Sequence, residues 1–514
     1  LGCLLGNSDG PRPGDSADGP NCRAALSFGL AGEVNVVVGI SYASVANARR
    51  SVNRETRTAD FRGRDFDELR AEAVAVWDKS LSRIKVDGPD REQMVLFYTL
   101  FSRLICQPSD LGIDDEFASW KSGVRHFTDY YALWDSVRNA NSLISLFDPE
   151  LEVAMLNCLI DIAKHNEWLP DAWIAGHSAM IQGGSSADVL ICEAALKGLP
   201  GIDYAKALEY MRRNNEVESP DPWLYGRHLR EYRDRGYLST AIKKYCVSRT
   251  MEYAYQDWCI ATLAGMLGQA ATAAEYRKSS EKIWNLWRDD IGYFAPRDPS
   301  GKWVDFDPSS CLPDCWNDPY FYEGTSMQWS YSVHHDFAGL IKRRGGAESF
   351  VRQLDAFFDG GHYHSKETML HIPYLYIYAG RPDKTAERVR EYMGKAFRPT
   401  RNGLADNEDM GCQSAWYMCS AMGLYPVMGQ DLYLLSAPVF ERTEIVLGKS
   451  GRTLTIEAPE AGPALSYIVG ATLNGQVQDR AMLRHGEIAD GARGSVLVHA
   501  TAGDGGARCG PHSP

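Results

Sequence analysis

The 514-residue sequence predicts a mainly α protein: a toroid of helical hairpins with short β regions at its two ends. Three observations carry that prediction. From Asp65 to about residue 423, segment after segment places apolar residues three and four apart, the spacing of a helix with one buried face. At 33–44 and again beyond "GLYPVMGQDLYLLSAP" the pattern changes to β-branched and alternating residues. The helical segments keep no fixed period, so a superhelical repeat array lacks support. About a dozen helices joined by loops rich in Trp, Asp, Gly and His suit a ring whose loops build a pocket at one end.

Taken in order, residues 1–22 read as loop, and "EVNVVVGISYAS" (33–44) fits one or two strands. "FDELRAEAVAVWDKSLSRIKV" and "REQMVLFYTLFSRLIC" open the helical part. Further helices are expected near 135–147, 150–165, 187–198, 203–214, 249–267, 271–288, 327–343, 347–358, 368–379, 383–395 and 412–423. "TEIVLGKS" and "RTLTIEAPE" read as strands before a Gly-rich tail.

A net charge of −13 argues against a nucleic-acid partner, because phosphate binding needs clustered Lys and Arg. No apolar run approaches a membrane span. The chain starts at Leu and its first twenty residues lack a signal-peptide pattern, so this reading expects a fragment with its export signal missing. The 13 Trp and 26 Tyr gather beside acids in the middle of the chain. Such surfaces suit sugars, whose C–H faces stack on rings while their hydroxyls bond carboxylates; aromatic-rich cores have the same composition. Of the 12 Cys, Cys106, Cys158, Cys192 and Cys259 sit in apolar helical patterns as buried thiols. Cys311 and Cys315 are spaced for a disulfide or half of a zinc site.

Five clusters carry chemistry. "HFTDYYALWDSVRNAN" sets Trp134 beside Asp135 and Arg138, which share a helix face as an ion pair or as a sugar-binding corner. "AGHSAMIQGGSSADVLICEA" holds His177 and Asp188 but lacks the P-loop Lys and Ser/Thr order, so it reads as a Gly turn feeding a helix. In "SRTMEYAYQDWCIA", Glu252 and Asp257 interrupt an apolar helix, as a structural salt bridge or a substrate contact. Glu323 lies among Tyr320, Phe321, Tyr322, Trp329 and Tyr331, an aromatic setting that raises a carboxyl pKa as a general acid requires. His334 and His335 are adjacent and face different ways on a helix, which disfavours a metal pair. "GGHYHSKETMLHIPYLYIYAGRP" offers His362, His364, Lys366, Glu367 and His371 to a metal, a substrate or the core.

The stretch "GLADNEDMGCQSAWYM" crowds Asp406, Glu408 and Asp409 at the start of an apolar helix. Capping explains such acids, since free N–H groups and the helix dipole favour negative charge there. A dipole-stabilised carboxylate also serves as a general base. Glu323 and Asp409 are therefore expected to have pKa values pushed apart, the pattern of an acid/base pair in glycoside hydrolysis.

"YEGTSMQWSYSVHHDFAGLI", "HIPYLYIYAGRPDKTAERVR", "DNEDMGCQSAWYMCSAMGLYPV", "FTDYYALWDSVRNANSLISLFDP" and "SRTMEYAYQDWC" together resemble glycoside hydrolase family 92, the calcium-dependent exo-acting α-mannosidases, from about residue 33 to about 450. The resemblance implies a β-sandwich remnant over 1–55, an (α/α)6 catalytic domain over 56–430, and a β region with a disordered tail over 431–514. It implies inversion of configuration, Glu323 as general acid, Asp409 as general base, and Trp134, Asp135 and Arg138 gripping the terminal mannose. Ca2+ is the implied cofactor, with Glu367 and Asn407 as its ligands, and Lys366 and Glu367 as further substrate contacts. A mannose-containing glycan is the implied partner, in a secreted, periplasmic or cell-surface location.

Two departures matter. Asn407 stands where some members have a second Asp. Ser365–Met369 replaces a Gly-Asn-Glu-Pro-like segment that touches the leaving sugar in α-1,2-specific members. A lysine there also suits a mannosyl phosphodiester, although retention of Glu323 favours an ordinary glycosidic bond. A non-catalytic carbohydrate-binding descendant is the alternative of a different class; its mark, loss of an essential acid, is absent.

Overall fold

The computed structural model describes residues 2–7, 10–13, 23–27, 32, 34, 36–41, 43–57, 63–113, 120–404, 406–464 and 467–499. By its contacts the chain divides into two compact units, Leu1–Asp78 and Lys79–Pro514.

In the first unit, strands Gly2–Asn7, Gly10–Pro13 and Arg23–Ser27 form an antiparallel sheet with the first strand in the middle. Most of this stretch was expected to be loop. Its Gly and Pro residues read as turn signals, yet Leu4 finds Pro13 on one side and Ala25 on the other. Conversely, the described residues of 33–44 form no strand, and Val36, Val37, Val38 and Ile40 are exposed. β-branched composition makes a strand only where a ladder partner is available. Helix α1 (Val45–Thr56) escapes the periodicity reading because it is polar; Ser44 caps it by accepting from the Asn47 N–H at 3.1 Å. Helix α2 (Phe66–Leu81) follows, and "IKV" leaves it to become strand Ile84–Asp87.

The second unit contains α3 (Arg91–Leu104), α4 (Leu133–Ser136), α5 (Ala140–Phe147), α6 (Pro149–Asn166), α7 (Ser186–Leu196), α8 (Tyr204–Glu216), α9 (Leu229–Arg235), α10 (Cys246–Met266) and α11 (Ala270–Ser280). Then come α12 (Ser326–Trp329), α13 (Phe337–Arg343), α14 (Ala347–Asp359), α15 (Leu375–Tyr378), α16 (Pro382–Ala396), α17 (Cys412–Met422) and α18 (His485–Ile488). Burial sorts them. α5, α7, α10, α15 and α17 are buried nearly all round, whereas α3, α8, α14 and α16 bury one stripe each. A helix that is apolar or buried on every side belongs inside and an amphipathic one outside. Inner and outer helices alternate along the chain, α5 with α6, α7 with α8, α10 with α11, and α16 with α17 in contact. The last inner helix, α17, packs on the first outer one, α3, and so closes the ring. This is the predicted (α/α)6 toroid.

Four expected helices are interrupted, the 135–147 segment by a turn between α4 and α5. The 271–288 segment becomes 3₁₀ after Ser280, and 327–343 is cut between α12 and α13. The 368–379 segment is two 3₁₀ turns and a single turn of α-helix, where Pro373 lacks the N–H an uninterrupted helix needs. After the toroid, a six-stranded sheet holds Arg442–Leu447 and Arg452–Glu457; Ile84–Asp87 pairs on its edge, with Ile84 opposite Ile445. That pairing is why "IKV" is strand: its buried residues alternate against the sheet. The expected disordered tail, from 500 onward, lies outside the described residues. Among the described residues no helix is long and apolar enough to cross a membrane.

Candidate active site

The inner helices deliver their amino-terminal ends to one mouth of the toroid. Trp134 and Asp135 precede α5, Gly183 precedes α7, Glu252 lies in the second turn of α10, Glu323 precedes α12, Glu367 precedes α15, and Asp409 precedes α17. Carboxylates are favoured at such ends by free N–H groups and the helix dipole. Several residues here have left-handed backbones: Glu323 (φ +46°), Ser365 (φ +56°), Asp409 (φ +48°) and Met410 (φ +53°). Non-glycine residues adopt this conformation at a cost that surrounding packing must offset, and such residues cluster at functional sites.

Asp135, Glu367 and Asp409 come together, with a carboxylate oxygen from each within 4.8 Å of the others. Asp135 and Glu367 are 2 % and 1 % exposed. Gln413, in the first turn of α17, reaches back to the Ser365 carbonyl at 2.8 Å and to Glu367 Oε1 at 3.4 Å. Glu323 borders this cluster. Burial first, and then the negative charge of Glu367, push its pKa up to about 7. Asp409 rises to about 8, by burial first and then by its hydrogen bond to Glu367 and the charges of Glu367 and Glu323. Burial, reinforced by Glu367 and Asp409, likewise holds Asp135 well above the ordinary range.

The expectation that the two pKa values are pushed apart is therefore corrected: both rise. The reason lies in how "ADNEDMG" divides its acids. Asp406 pairs outward with Lys366, Nζ to Oδ2 at 2.9 Å. Glu408 serves the helix, accepting the Ser414 N–H of α17 at 3.0 Å. The Asp409 carbonyl accepts the Cys412 N–H at the start of α17 at 3.1 Å, while its side chain makes no cap contact and lies in the acidic cluster. Asn407 is exposed, its N–H bonded to Asp406 Oδ1 at 2.9 Å.

One wall of the site is aromatic. Arg138 stacks on Trp134, 4.3 Å from guanidinium to ring centre. Glu252 accepts the Trp134 indole N–H at 3.2 Å and lies 3.6 Å from Arg138. The corner formed by Trp134, Asp135 and Arg138 thus turns two ways, Arg138 to Glu252 and Asp135 to the carboxylates. Gly183 permits this, since a Cβ there would sit 2.5 Å from the indole. Tyr322 packs edge-on against Trp134, ring centres 5.0 Å apart, and its hydroxyl accepts from Gln182 at 3.2 Å.

Other marked residues go elsewhere. Asp188 and Asp257 are both in contact with Arg227 in a buried network. His371 bonds the Tyr331 carbonyl and His335 the Ser280 carbonyl. Cys311 and Cys315 form a disulfide, which decides against the zinc alternative. Sequence reasoning missed Asp135 as a partner of Glu367, and Gln413 as the residue that holds Glu367. The available signal for Gln413 was a lone amide in the first turn of an apolar helix.

The acidic cluster fits a calcium ion. Asp135 Oδ1 and Glu367 Oε2 are buried without a hydrogen-bond partner. Oxygen ligands at about 2.3–2.6 Å from one ion are separated from each other by up to about 5 Å, which the cluster satisfies.

A helical toroid whose mouth gathers carboxylates against an aromatic wall defines the class of glycoside hydrolase catalytic domains. Residues 47–498 match the glycosyl hydrolase family 92 catalytic domain, and the chain belongs to that family. It is similar to the family 92 inverting mannosidase of Bacteroides thetaiotaomicron VPI-5482, at 27 % identity and a TM-score of 0.85, covering 98 % of this chain and 72 % of that one. A family 92 α-mannosidase from Bacteroides thetaiotaomicron in complex with mannoimidazole is 25 % identical with a TM-score of 0.85, covering 97 % and 69 %. An uncharacterized secreted glycosidase of Arthroderma benhamiae is 29 % identical over 485 residues, 88 % of this chain. The chain spans 59 % of that curated relative's length.

Proposed function

We propose that this chain carries the catalytic machinery of an exo-acting, inverting α-mannosidase that removes terminal mannose from glycans. The observation that carries the reading is the convergence of Glu323 and Asp409 on Glu367 at the toroid mouth. Glu323, with its pKa lifted to about 7, keeps a proton for the departing glycosidic oxygen near neutral pH. Asp409 is held protonated near neutral pH by burial and its acidic neighbours, with its pKa at about 8; a cation bound in the acidic cluster would offset those charges and free its carboxylate to take the proton of the attacking water. A carboxylate has two oxygens, so Asp409 serves the acidic cluster with one while accepting a proton on the other. Trp134 and Arg138 grip the terminal sugar, Trp134 held by Glu252.

Asp135, Glu367 and Asp409 would hold the calcium, with Asn407, two residues before Asp409 in the chain, as a further oxygen donor. The bound ion would supply electrostatic contact to sugar hydroxyls and favour distortion of the ring. The names of the two Bacteroides relatives support mannose as the sugar. Secretion is supported by the name of the Arthroderma relative and by the Cys311–Cys315 disulfide, a bond that persists in oxidising compartments.

Lys366 points to a mannosyl phosphodiester as the second reading, but it is engaged by Asp406, which a phosphate would have to displace. The test is hydrolysis of a panel of α-linked mannobioses, α-mannosyl fluoride and a mannosyl-phosphate-mannose, with calcium and with EDTA. Glu323→Gln is expected to abolish disaccharide cleavage while sparing the fluoride, whose leaving group needs no proton. Asp409→Asn is expected to abolish both. Proton NMR of the first-formed sugar should show the β anomer. Cleavage of the phosphodiester alone, indifferent to Glu323, would replace this reading with the second.

A further inference from the structure

The Cys311–Cys315 disulfide closes a short loop directly before the acid-bearing segment. The loop is tied to that segment at several points. The Glu323 N–H donates to the Cys315 carbonyl at 2.9 Å. The Leu312 N–H donates to Asp318 Oδ2 at 3.0 Å, and Asp318 Oδ1 accepts the Tyr320 and Phe321 N–H groups at 2.7 Å each. The Tyr245 hydroxyl donates to the Trp316 carbonyl. A covalently closed loop with these anchors is a rigid platform.

What the platform presents is an indole. Trp316 is 53 % exposed, although its backbone is fixed on both sides: its N–H donates to Asp314 Oδ1 at 2.8 Å, and its carbonyl is taken by Tyr245. Its ring meets Tyr322 edge-on, centres 6.0 Å apart. Tyr322 in turn meets Trp134, which is 1 % exposed. The three rings form one aromatic wall running from the buried floor of the site to solvent, and Glu323 follows the middle ring in the chain.

We propose that the Cys311–Cys315 loop builds the leaving-group subsite, with Trp316 as the stacking platform for the sugar displaced at Glu323. The proposal rests on the mannosidase reading. The terminal sugar occupies the buried end at Trp134. The acid protonates the bond's oxygen at the middle of the wall, so the leaving sugar extends along the wall toward its exposed end. There the C–H face of a pyranose covers the indole while its hydroxyls stay in water. Such a platform selects for a sugar leaving group without dictating which hydroxyl carried the bond, because a ring face carries no hydrogen-bond pattern.

The test compares two substrates that differ beyond the scissile bond: an α-mannobiose, which fills the leaving-group position with a sugar, and α-mannosyl fluoride, which fills it with one atom. For Trp316→Ala, the ratio of kcat/KM for the disaccharide to kcat/KM for the fluoride is expected to fall roughly tenfold, the size of one lost aromatic stacking contact. Trp316→Phe should recover part of that ratio, since a ring face remains. An unchanged ratio, whether both rates fall together or neither does, overturns the subsite and leaves the mannosidase reading intact. Failure of the unaltered protein to cleave either substrate removes that reading first and this one with it.

Discussion

Two buried carboxylate clusters in the toroid differ in a way that separates structure from function. In the first, Arg227 lies between Asp188 and Asp257, all three side chains fully buried. Asp257 also accepts from Asn215 at 2.6 Å, Tyr232 at 2.8 Å and Ser279 at 2.6 Å. Burial opposes the Arg227 charge, but the two carboxylates outweigh it and raise its pKa. In the second, Asp135, Glu367 and Asp409 crowd together, a carboxylate oxygen of each within 4.8 Å of the others. One cluster brings its own counter-charge on the chain. The other has only carboxylates among its three members, and like charges at that spacing are an arrangement that stability alone does not favour.

Substitutions should widen that contrast. Beside the acidic cluster, at the proposed general acid, Glu323→Gln is expected to lower kcat on a mannobiose by roughly 10²–10⁴-fold with a nearly unchanged melting temperature. At the structural cluster, Arg227→Ala strands two buried carboxylates and should destabilise the protein by about 3–5 kcal/mol, read by thermal melting. A melting temperature equally depressed by both changes would erase the distinction.

Calcium sharpens the comparison next. An ion that binds only the folded state at one hundred times its Kd adds about 2.7 kcal/mol, so calcium should raise the melting temperature and EDTA lower it. Asp135→Asn combined with Glu367→Gln should abolish the response. If that double variant still responds, the ion sits elsewhere.

The pH dependence has a definite sign. Glu323 has its pKa raised from 4.5 to about 7 on folding, so between those values the folded protein keeps a proton that the unfolded chain has released. Its stabilising contribution is fully present below about 4.5 and is lost as pH rises through about 7. Without calcium, the melting temperature should therefore decline from pH 5 to pH 8; with calcium present, disaccharide hydrolysis should fall on its alkaline side as Glu323 loses its proton. Glu323→Gln should flatten that part of the melting profile.

The smallest effects separate the neighbouring acids of "ADNEDMG". Glu408→Ala removes an acceptor at the start of α17 and should cost about 1 kcal/mol. Asp406→Asn breaks a part-exposed ion pair with Lys366 and should cost less than about 1 kcal/mol. Urea melts of the two variants should rank in that order; the reverse order would mean that Lys366, not the helix, needs its acid.

The sequence alone determined the helical ring, because apolar spacing reports which face a helix buries and needs no knowledge of its neighbours. It also marked Glu323, Asp409 and the corner formed by Trp134, Asp135 and Arg138, since acids beside aromatics stand out wherever they lie in the chain. It did not foresee strand Ile84–Asp87 or the absence of one at Val36–Ile40, because a strand exists only with a partner, and partners are chosen in space. Nor did it foresee the partition of Asp406, Glu408 and Asp409. Three acids within four positions look alike in a sequence; a left-handed backbone at Asp409 and the positions of Lys366, Ser414 and Glu367 send each to a different task. Asp188 and Asp257 were indistinguishable from active-site acids until Arg227 was seen between them. What tertiary structure decided in every case was the partner, because the charge state and the use of a carboxylate are set by what lies within a few ångströms of it.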